Sequence, residues 1–282
     1  MFRFLLICIL PILSGCSSAL FFPSRSLFYD PAKMDLNFEE VHFTSYDGTP
    51  LYGWYFHHRE ARPAKAIVFY AHGNGGNISS HFGNIAFVLD RGYDFFIFDY
   101  RGYGSSGGSR PSPREAVGDT IAALHWTDAR AKKEKLPMIA FGQSLGSALM
   151  IRALAEEKAT IHPKLIVIES GFLSYEWAAV SVLSNHWLLF PLEPLAFLVI
   201  SDEWAPKLRI RELAPTPFLI FHGDADHTID FRLGVELYDA ALPPKEFIRV
   251  PGGGHIQSFW VEDGKKFREV FLARMDAAIK SD

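Results

Sequence analysis

The stretch Gly142-Gln143-Ser144-Leu145-Gly146 decides how the rest of the chain is read. Before it, Met138-Ile139-Ala140-Phe141 is a short apolar run with turn signals on both sides, the pattern of a buried strand. After it, residues 147–157 carry Ala, Leu, Met and Ile at helical spacing. Ser144 therefore sits where a strand turns sharply into a helix. That context makes G-x-S-x-G a nucleophile elbow rather than a chance string. Such a turn forces the nucleophile into strained backbone geometry, and side chains at Gly142 and Gly146 would collide with neighbouring backbone.

Working outward towards the N-terminus, residues 66–71 form another continuous apolar run, the mark of a strand buried on both faces. It ends in His72-Gly73-Asn74-Gly75-Gly76-Asn77. Glycine-rich backbone at a strand end can offer N–H groups to an anion, and a plain strand-ending turn is the competing reading. His72 reads as a hydrogen-bonding residue of that turn. Two strands are expected earlier, over 40–44 and 51–56, joined by Tyr46-Asp47-Gly48-Thr49. A helix carrying Ile85, Phe87, Val88 and Leu89 should end at Gly92. Residues 94–99 give the next buried strand, followed by Arg101-Gly102-Tyr103-Gly104-Ser105-Ser106-Gly107. This contains G-x-G-x-x-G, but a dinucleotide fingerprint must open a helix directly, and here Gly108, Pro111 and Pro113 intervene. The following helix has Ser112 as N-cap, Pro113 at its first position and Glu115 closing a capping box. It runs to about 135, with His125 on its face.

Working outward towards the C-terminus, strands are expected over 165–169, 218–221 and 246–250, with helices over 232–242 and 262–279. Residues 222–229 and the turn Pro251-Gly252-Gly253-Gly254-His255 follow the last two strands. Strands alternating with helices argue an α/β fold: a mostly parallel central sheet with helices on both faces. Residues 173–211 differ in character, holding Trp177, Trp187, Leu188, Leu189, Phe190 and Trp204, broken by Pro191, Pro194 and Pro206. They read as a small helical cap over a pocket, with extra core or a membrane-facing patch as the bland alternatives.

The chain of 282 residues is 49% hydrophobic and 21% charged, which suits one large globular core. A net charge of −4 without blocks of like charge gives no reason to expect nucleic acid. Arg3 and the apolar residues 4–13 make a signal-like start, too short to span a bilayer as a helix. Leu13-Ser14-Gly15-Cys16 then resembles a bacterial lipobox. That resemblance implies a lipoprotein signal peptide over 1–15 and a lipid on Cys16. It also implies a lipidated tether over 16–37 and export to a membrane-anchored place in the outer membrane or cell envelope. An ordinary signal peptide or a retained membrane anchor competes. Ser17 is not the Asp associated with inner-membrane retention. With Cys8 and Cys16 the only cysteines, the mature chain offers no Cys nucleophile and no Cys metal site. The tether carries Leu27-Phe28-Tyr29, more aromatic than a linker built for reach, so part of it should pack on the domain.

Taken together, His72-Gly73-Asn74, Gly142-Gln143-Ser144-Leu145-Gly146 and Gly254-His255 fall on strand ends in one chain. Over roughly 38–278 the chain resembles a serine α/β-hydrolase, including the Ser…Asp…His order. With Asp99-Tyr100-Arg101-Gly102-Tyr103-Gly104 it is similar to a branch of bacterial hydrolases and eukaryotic depalmitoylases. The resemblance implies a hydrolase domain over 38–282 with its cap insertion near 173–211. It implies Ser144 as nucleophile, His255 as base, Asp226 as acid, and the N–H groups of Asn74 and Leu145 as oxyanion hole, with Gly75 the fallback for Asn74. No metal or organic cofactor is implied, and the substrate would be a small-molecule or lipid ester. Asp224, Asp226 and Asp230 compete for the acid. Family members usually place it three residues before an apolar residue, which Asp226 before Ile229 fits. Asp224 would brace the turn. An adjacent Asp226-His227 pair is poor metal-ligand spacing. Two other classes stay open: an aminopeptidase, which would need carboxylates such as Glu176, Glu193, Asp202 or Glu203 in the cap, and an inactive binding lipoprotein. Oligomeric state is open as well.

Overall fold

A computed structural model describes residues 16–60, 63–185, 188 and 190–280. The expectations for 1–15, Trp187 and Leu189 lie outside these residues. Among the described residues eight strands form one sheet: β1 (Phe38–Thr44), β2 (Pro50–Phe56), β3 (Ile67–Ala71), β4 (Asp94–Asp99), β5 (Met138–Gln143), β6 (Ile166–Glu169), β7 (Phe218–Gly223) and β8 (Lys245–Val250). Their order is β1-β2-β4-β3-β5-β6-β7-β8. The β1–β2 and β2–β4 pairs are antiparallel, and every other pair is parallel. Strands β3 to β7 are buried along their whole length, because helices cover both faces.

Alternation along the strands splits the core in two. Ile67, Phe69 and Ala71 join Phe96, Ala140 and Leu149 on one face, while Val68 and Tyr70 join Phe95, Phe141 and Phe271 on the other. The first face is covered by α2 (Pro113–Glu134) and α3 (Leu145–Glu156), the second by α7 (Gly264–Ala278). The capping box expected at Ser112 and Glu115 is present. The short α1 (Ile78–His81) and α6 (Phe231–Ala240) complete the body. The stretch expected as an α-helix before Gly92 is instead two 3-10 segments, Phe82–Asn84 and Ala86–Arg91. Gly83 and Asn84 favour helix poorly, and the break falls at Ile85, whose backbone leaves the helical region. Gly92 still closes the stretch in the left-handed conformation.

Residues 173–211 contribute α4 (Tyr175–Ser184) and α5 (Glu193–Val199) above the strand ends. Asp202 pins them: it accepts from the Tyr175 N–H at 2.7 Å and from Ser174 Oγ, and it pairs with Lys207. The segment ahead of β1 packs on the domain, as expected, but through Phe21 rather than the aromatic cluster. Leu27, Phe28 and Tyr29 remain exposed, and Phe21 is the fully buried residue. The reason is register. Backbone bonds to the 74–79 loop hold the segment so that Phe21 faces inward, and the aromatic cluster falls past the edge of the core.

Candidate active site

Ser144 links β5 to α3 with φ 50° and ψ −121°, a conformation that side-chain-bearing residues avoid. The flanking glycines are dictated by approach. A Cβ on Gly142 would lie 2.6 Å from Ser147 Cα, and one on Gly146 would lie 2.2 Å from the Ala71 carbonyl oxygen. The strain is held by neighbours: the Ser144 N–H donates to the Glu169 carbonyl at 2.9 Å, and Ser147 Oγ donates to the Ser144 carbonyl at 2.6 Å.

Asp226 and His255 leave the ends of adjacent strands β7 and β8, whose loops are joined by the Ala225 N–H to the Gly253 carbonyl. The structure brings the three expected side chains together. His255 Nε2 lies 2.9 Å from Ser144 Oγ, and His255 Nδ1 lies 2.8 Å from Asp226 Oδ2. The other Asp226 oxygen accepts the N–H groups of Thr228 and Ile229, each at 2.9 Å. Burial raises the Asp226 carboxyl, but the His255 bond and charge and these two N–H groups outweigh it and hold it below the ordinary range. Beneath it, His222 is fully buried and burial lowers its basicity, so it stays neutral and donates from Nε2 to the Ile229 carbonyl.

The competing acids have other partners. Asp224 accepts from Arg249 Nε and the Gly252 N–H, bracing the turn that precedes His255. Asp230 caps α6 through the Arg232 N–H. His72 is buried with Nδ1 on the Gly73 carbonyl, and burial pushes its basicity far down. His125 pairs with Glu157 on the helix surface.

Leu145 opens α3, so its N–H has no acceptor within the helix. The Gly75 N–H is taken by Asn74 Oδ1 at 2.9 Å, which leaves the Asn74 N–H as the donor available from that loop. Asn74, Leu145, Ser144 and His255 all line one cavity of about 690 Å³. Its other walls are Leu20 and Phe22 ahead of β1, Val182 and Leu183 of α4, and Leu195 and Val199 of α5, with further apolar residues between them. None of the described lining residues carries a carboxylate, ammonium or guanidinium group. The arrangement can move a proton from a hydroxyl to an imidazole beside two backbone donors, next to room for an apolar group.

Comparison with known proteins agrees with this geometry. A sequence profile of the family described as "Serine aminopeptidase, S33" matches residues 62–190. The protein YfhR of Escherichia coli (strain K12) is 32% identical, covering 82% of this chain and 78% of its own. This chain belongs to the serine α/β-hydrolase family. The hydrolase is also similar to lysophosphatidylserine lipase ABHD12 of Mus musculus, at 31% identity over 64% of this chain and 47% of that protein. Its fold matches the Pyrococcus furiosus esterase Pf2001 with a TM-score of 0.72, 20% identity, and coverage of 93% of this chain and 97% of that one.

Two features of the hydrolase site were not anticipated. Glu169, at the end of β6, is fully buried, and burial raises its carboxyl pKa. It accepts Gln143 Nε2 on one oxygen and the Ser258 N–H on the other, both at 2.8 Å. Gln143 precedes Ser144 and Ser258 follows His255 by three residues, so one carboxyl ties both loops together. A charged residue ending an apolar run is the signal that could have found it. The second feature is the cavity wall from Leu20 and Phe22, for which the local sequence holds no signal.

Proposed function

We propose that the protein is a serine hydrolase that cleaves carboxylic esters or thioesters with an apolar acyl group through an acyl-enzyme. Ser144 Oγ attacks the carbonyl carbon while its proton passes to His255 Nε2. Asp226 keeps the imidazole in the required tautomer and stabilises its charged form. The N–H groups of Asn74 and Leu145 take the oxyanion. His255 returns the proton to the departing alcohol or thiol, and water then repeats the attack on the acyl-enzyme.

The observation that carries the substrate class is the uncharged, apolar wall beside Ser144. An aminopeptidase needs a carboxylate for the substrate ammonium. Asp202 instead accepts from Ser174 and Tyr175, Glu193 accepts from Ser184, and neither lines the cavity. The test is a series of p-nitrophenyl esters run beside aminoacyl anilides. Esters should improve from acetate towards medium chains. Anilides cleaved faster than any ester, with acetate the best ester, would move the protein to the peptidase reading.

We also propose that Cys16 carries a lipid that holds the enzyme on a membrane of the cell envelope. No described helix is long and apolar enough to cross a membrane. In support, the Ser201 N–H donates to Ser17 Oγ, which puts the start of the described chain beside the cap. The cap there exposes Leu188 at 66%, Leu198 at 67%, and Phe190, Leu195 and Phe197 to a lesser degree. Mass spectrometry should find acyl groups on Cys16, and Cys16→Ser should release the protein or leave it unprocessed. An unmodified Cys16 in membrane-extracted protein would refute the anchor.

A further inference from the structure

The segment before β1 does more than connect. Asn74 uses its side chain to grip it. Asn74 Nδ2 donates to the Leu20 carbonyl, and Asn74 Oδ1 accepts the Phe22 N–H at 2.9 Å. The same oxygen accepts the Gly75 N–H at 2.9 Å and Tyr103 Oη at 3.0 Å. The grip continues along the loop. Pro23 bridges Gly76, the Ser24 N–H donates to the Gly76 carbonyl, and Asn77 Nδ2 donates to the carbonyls of Ser24 and Ser26. Arg25 fastens the other side through the carbonyls of Gly104, Ser106 and Gly108. Phe21 anchors the segment in the core, and Leu20 and Phe22 on either side of it face the cavity.

We infer that Leu20–Phe28 is a strap belonging to the active site, with the backbone of Leu20 and Phe22 positioning Asn74 for oxyanion binding. The inference rests on the oxyanion role proposed above for the Asn74 N–H. A loop donor must lie at hydrogen-bond distance from the place the oxyanion will occupy, and this loop is rich in glycine. Backbone freedom there is removed by two opposed bonds to one side-chain amide, which fix the plane of Asn74 against a chain more than fifty residues away in sequence. Leu20 and Phe22 are thus positioning residues through their backbone and wall residues through their side chains. Cys16, the proposed lipid site, lies four positions before Leu20, so the chain enters the active site directly from its anchor.

The test separates positioning from folding. Asn74→Ala keeps the proposed oxyanion N–H but cuts it from the strap. Phe22→Pro removes the N–H that Asn74 accepts and leaves Asn74 in place. Measured on the acetate ester, whose short acyl group makes least use of the Phe22 wall, each should lower kcat roughly ten- to a hundredfold, less than losing a donor outright, with KM nearly unchanged, because an oxyanion bond is made in the transition state. The double variant should be little worse than either single one, since both break the same link. Binding of an alkyl trifluoromethyl ketone, whose adduct places an oxygen in the hole, should weaken by the same factor as kcat/KM. Met34→Ala, exposed and outside both the strap and the cavity, is the control with unchanged turnover. Multiplying losses in the double variant, or unchanged kcat in both singles, overturns the inference. If Phe22→Pro does not fold, Asn74→Ala decides alone: a fall in kcat with unaltered ketone affinity overturns it. Wild-type protein without esterase turnover would instead break the hydrolase reading, and the strap's role would fall with it.

Discussion

The cavity has two unlike walls. The sheet-side wall carries Ser144, Asp226 and His255 on loops leaving β5, β7 and β8. Its catalytic loops are braced by hydrogen bonds, down to the Glu169 carboxyl that ties Gln143 to Ser258. The cap-side wall is Val182, Leu183, Leu195, Val199 and similar residues, on helices held to the body through Ser181, which donates to the Thr228 carbonyl and accepts the Asp230 N–H, and through Arg152 on the Glu203 carbonyl and the Trp204 ring. The first wall fixes directions and the second supplies area. Chemistry needs positions held to about half an ångström, which strand ends braced by hydrogen bonds provide. Choice among apolar acyl groups needs only contact, which a less rigidly pinned cap provides.

If this division is right, damage to the two walls should differ in kind. Ser144→Ala should lower kcat by on the order of 10⁵ to 10⁶ with the fold intact, as for other triad knockouts. A folded variant with wild-type turnover would remove the chemical wall from the account. Asp226→Asn should cost about 10⁴ in kcat by favouring the wrong His255 tautomer. Asp224→Asn should cost far less, because its partners are Arg249 and Gly252. If Asp224→Asn proves the more damaging, the acid assignment is reversed.

On the cap side, Leu183→Ala should change selectivity rather than chemistry. Each methylene buried against the wall contributes up to about 0.8 kcal/mol, roughly fourfold in kcat/KM if the contact persists in the transition state. The gradient from acetate to longer esters should flatten in Leu183→Ala, with acetate turnover the less affected. An equal loss on every ester would show that this wall also holds the catalytic geometry.

The last effect concerns stability rather than turnover. Asp99 is buried at the end of β4, and burial raises its carboxyl to about 7 despite the N–H groups of Ile78 and Ser105. The folded state binds that proton more tightly than the unfolded chain, whose Asp titrates near 3.9. The stabilisation is therefore full below about pH 4 and fades as pH rises to about 7. Burial lowers the basicity of His72, His81 and His222, which contribute with the opposite sign. Comparing urea unfolding of wild type and Asp99→Asn across this range isolates the carboxyl. The wild type should lose more stability than the variant between pH 4 and 7, and parallel curves would place Asp99 outside the balance.

The same two walls differ in how far the sequence reveals them. The elbow is legible because its strain is local: Gly142 and Gly146 are required by atoms a few residues away or on the next strand. Asp226 and His255 are legible because strand-end loops of a parallel sheet converge on one side. Glu169 shows only as a charge ending an apolar run, since its partners lie 26 and 89 positions away. The grip of Asn74 on Leu20 and Phe22 has no local mark, because the strap contributes backbone groups that every sequence has. The 3-10 stretch before Gly92 reads as an ordinary helix because hydrophobic spacing over so short a run does not separate the two.

The proposed mechanism requires an activated nucleophile at Ser144. The most direct measurement is intact and peptide mass spectrometry after treatment with a fluorophosphonate at neutral pH. One adduct is expected, on Ser144, formed by the wild type and absent from Ser144→Ala. A folded wild type that forms no adduct, or an adduct elsewhere that persists in Ser144→Ala, would contradict it.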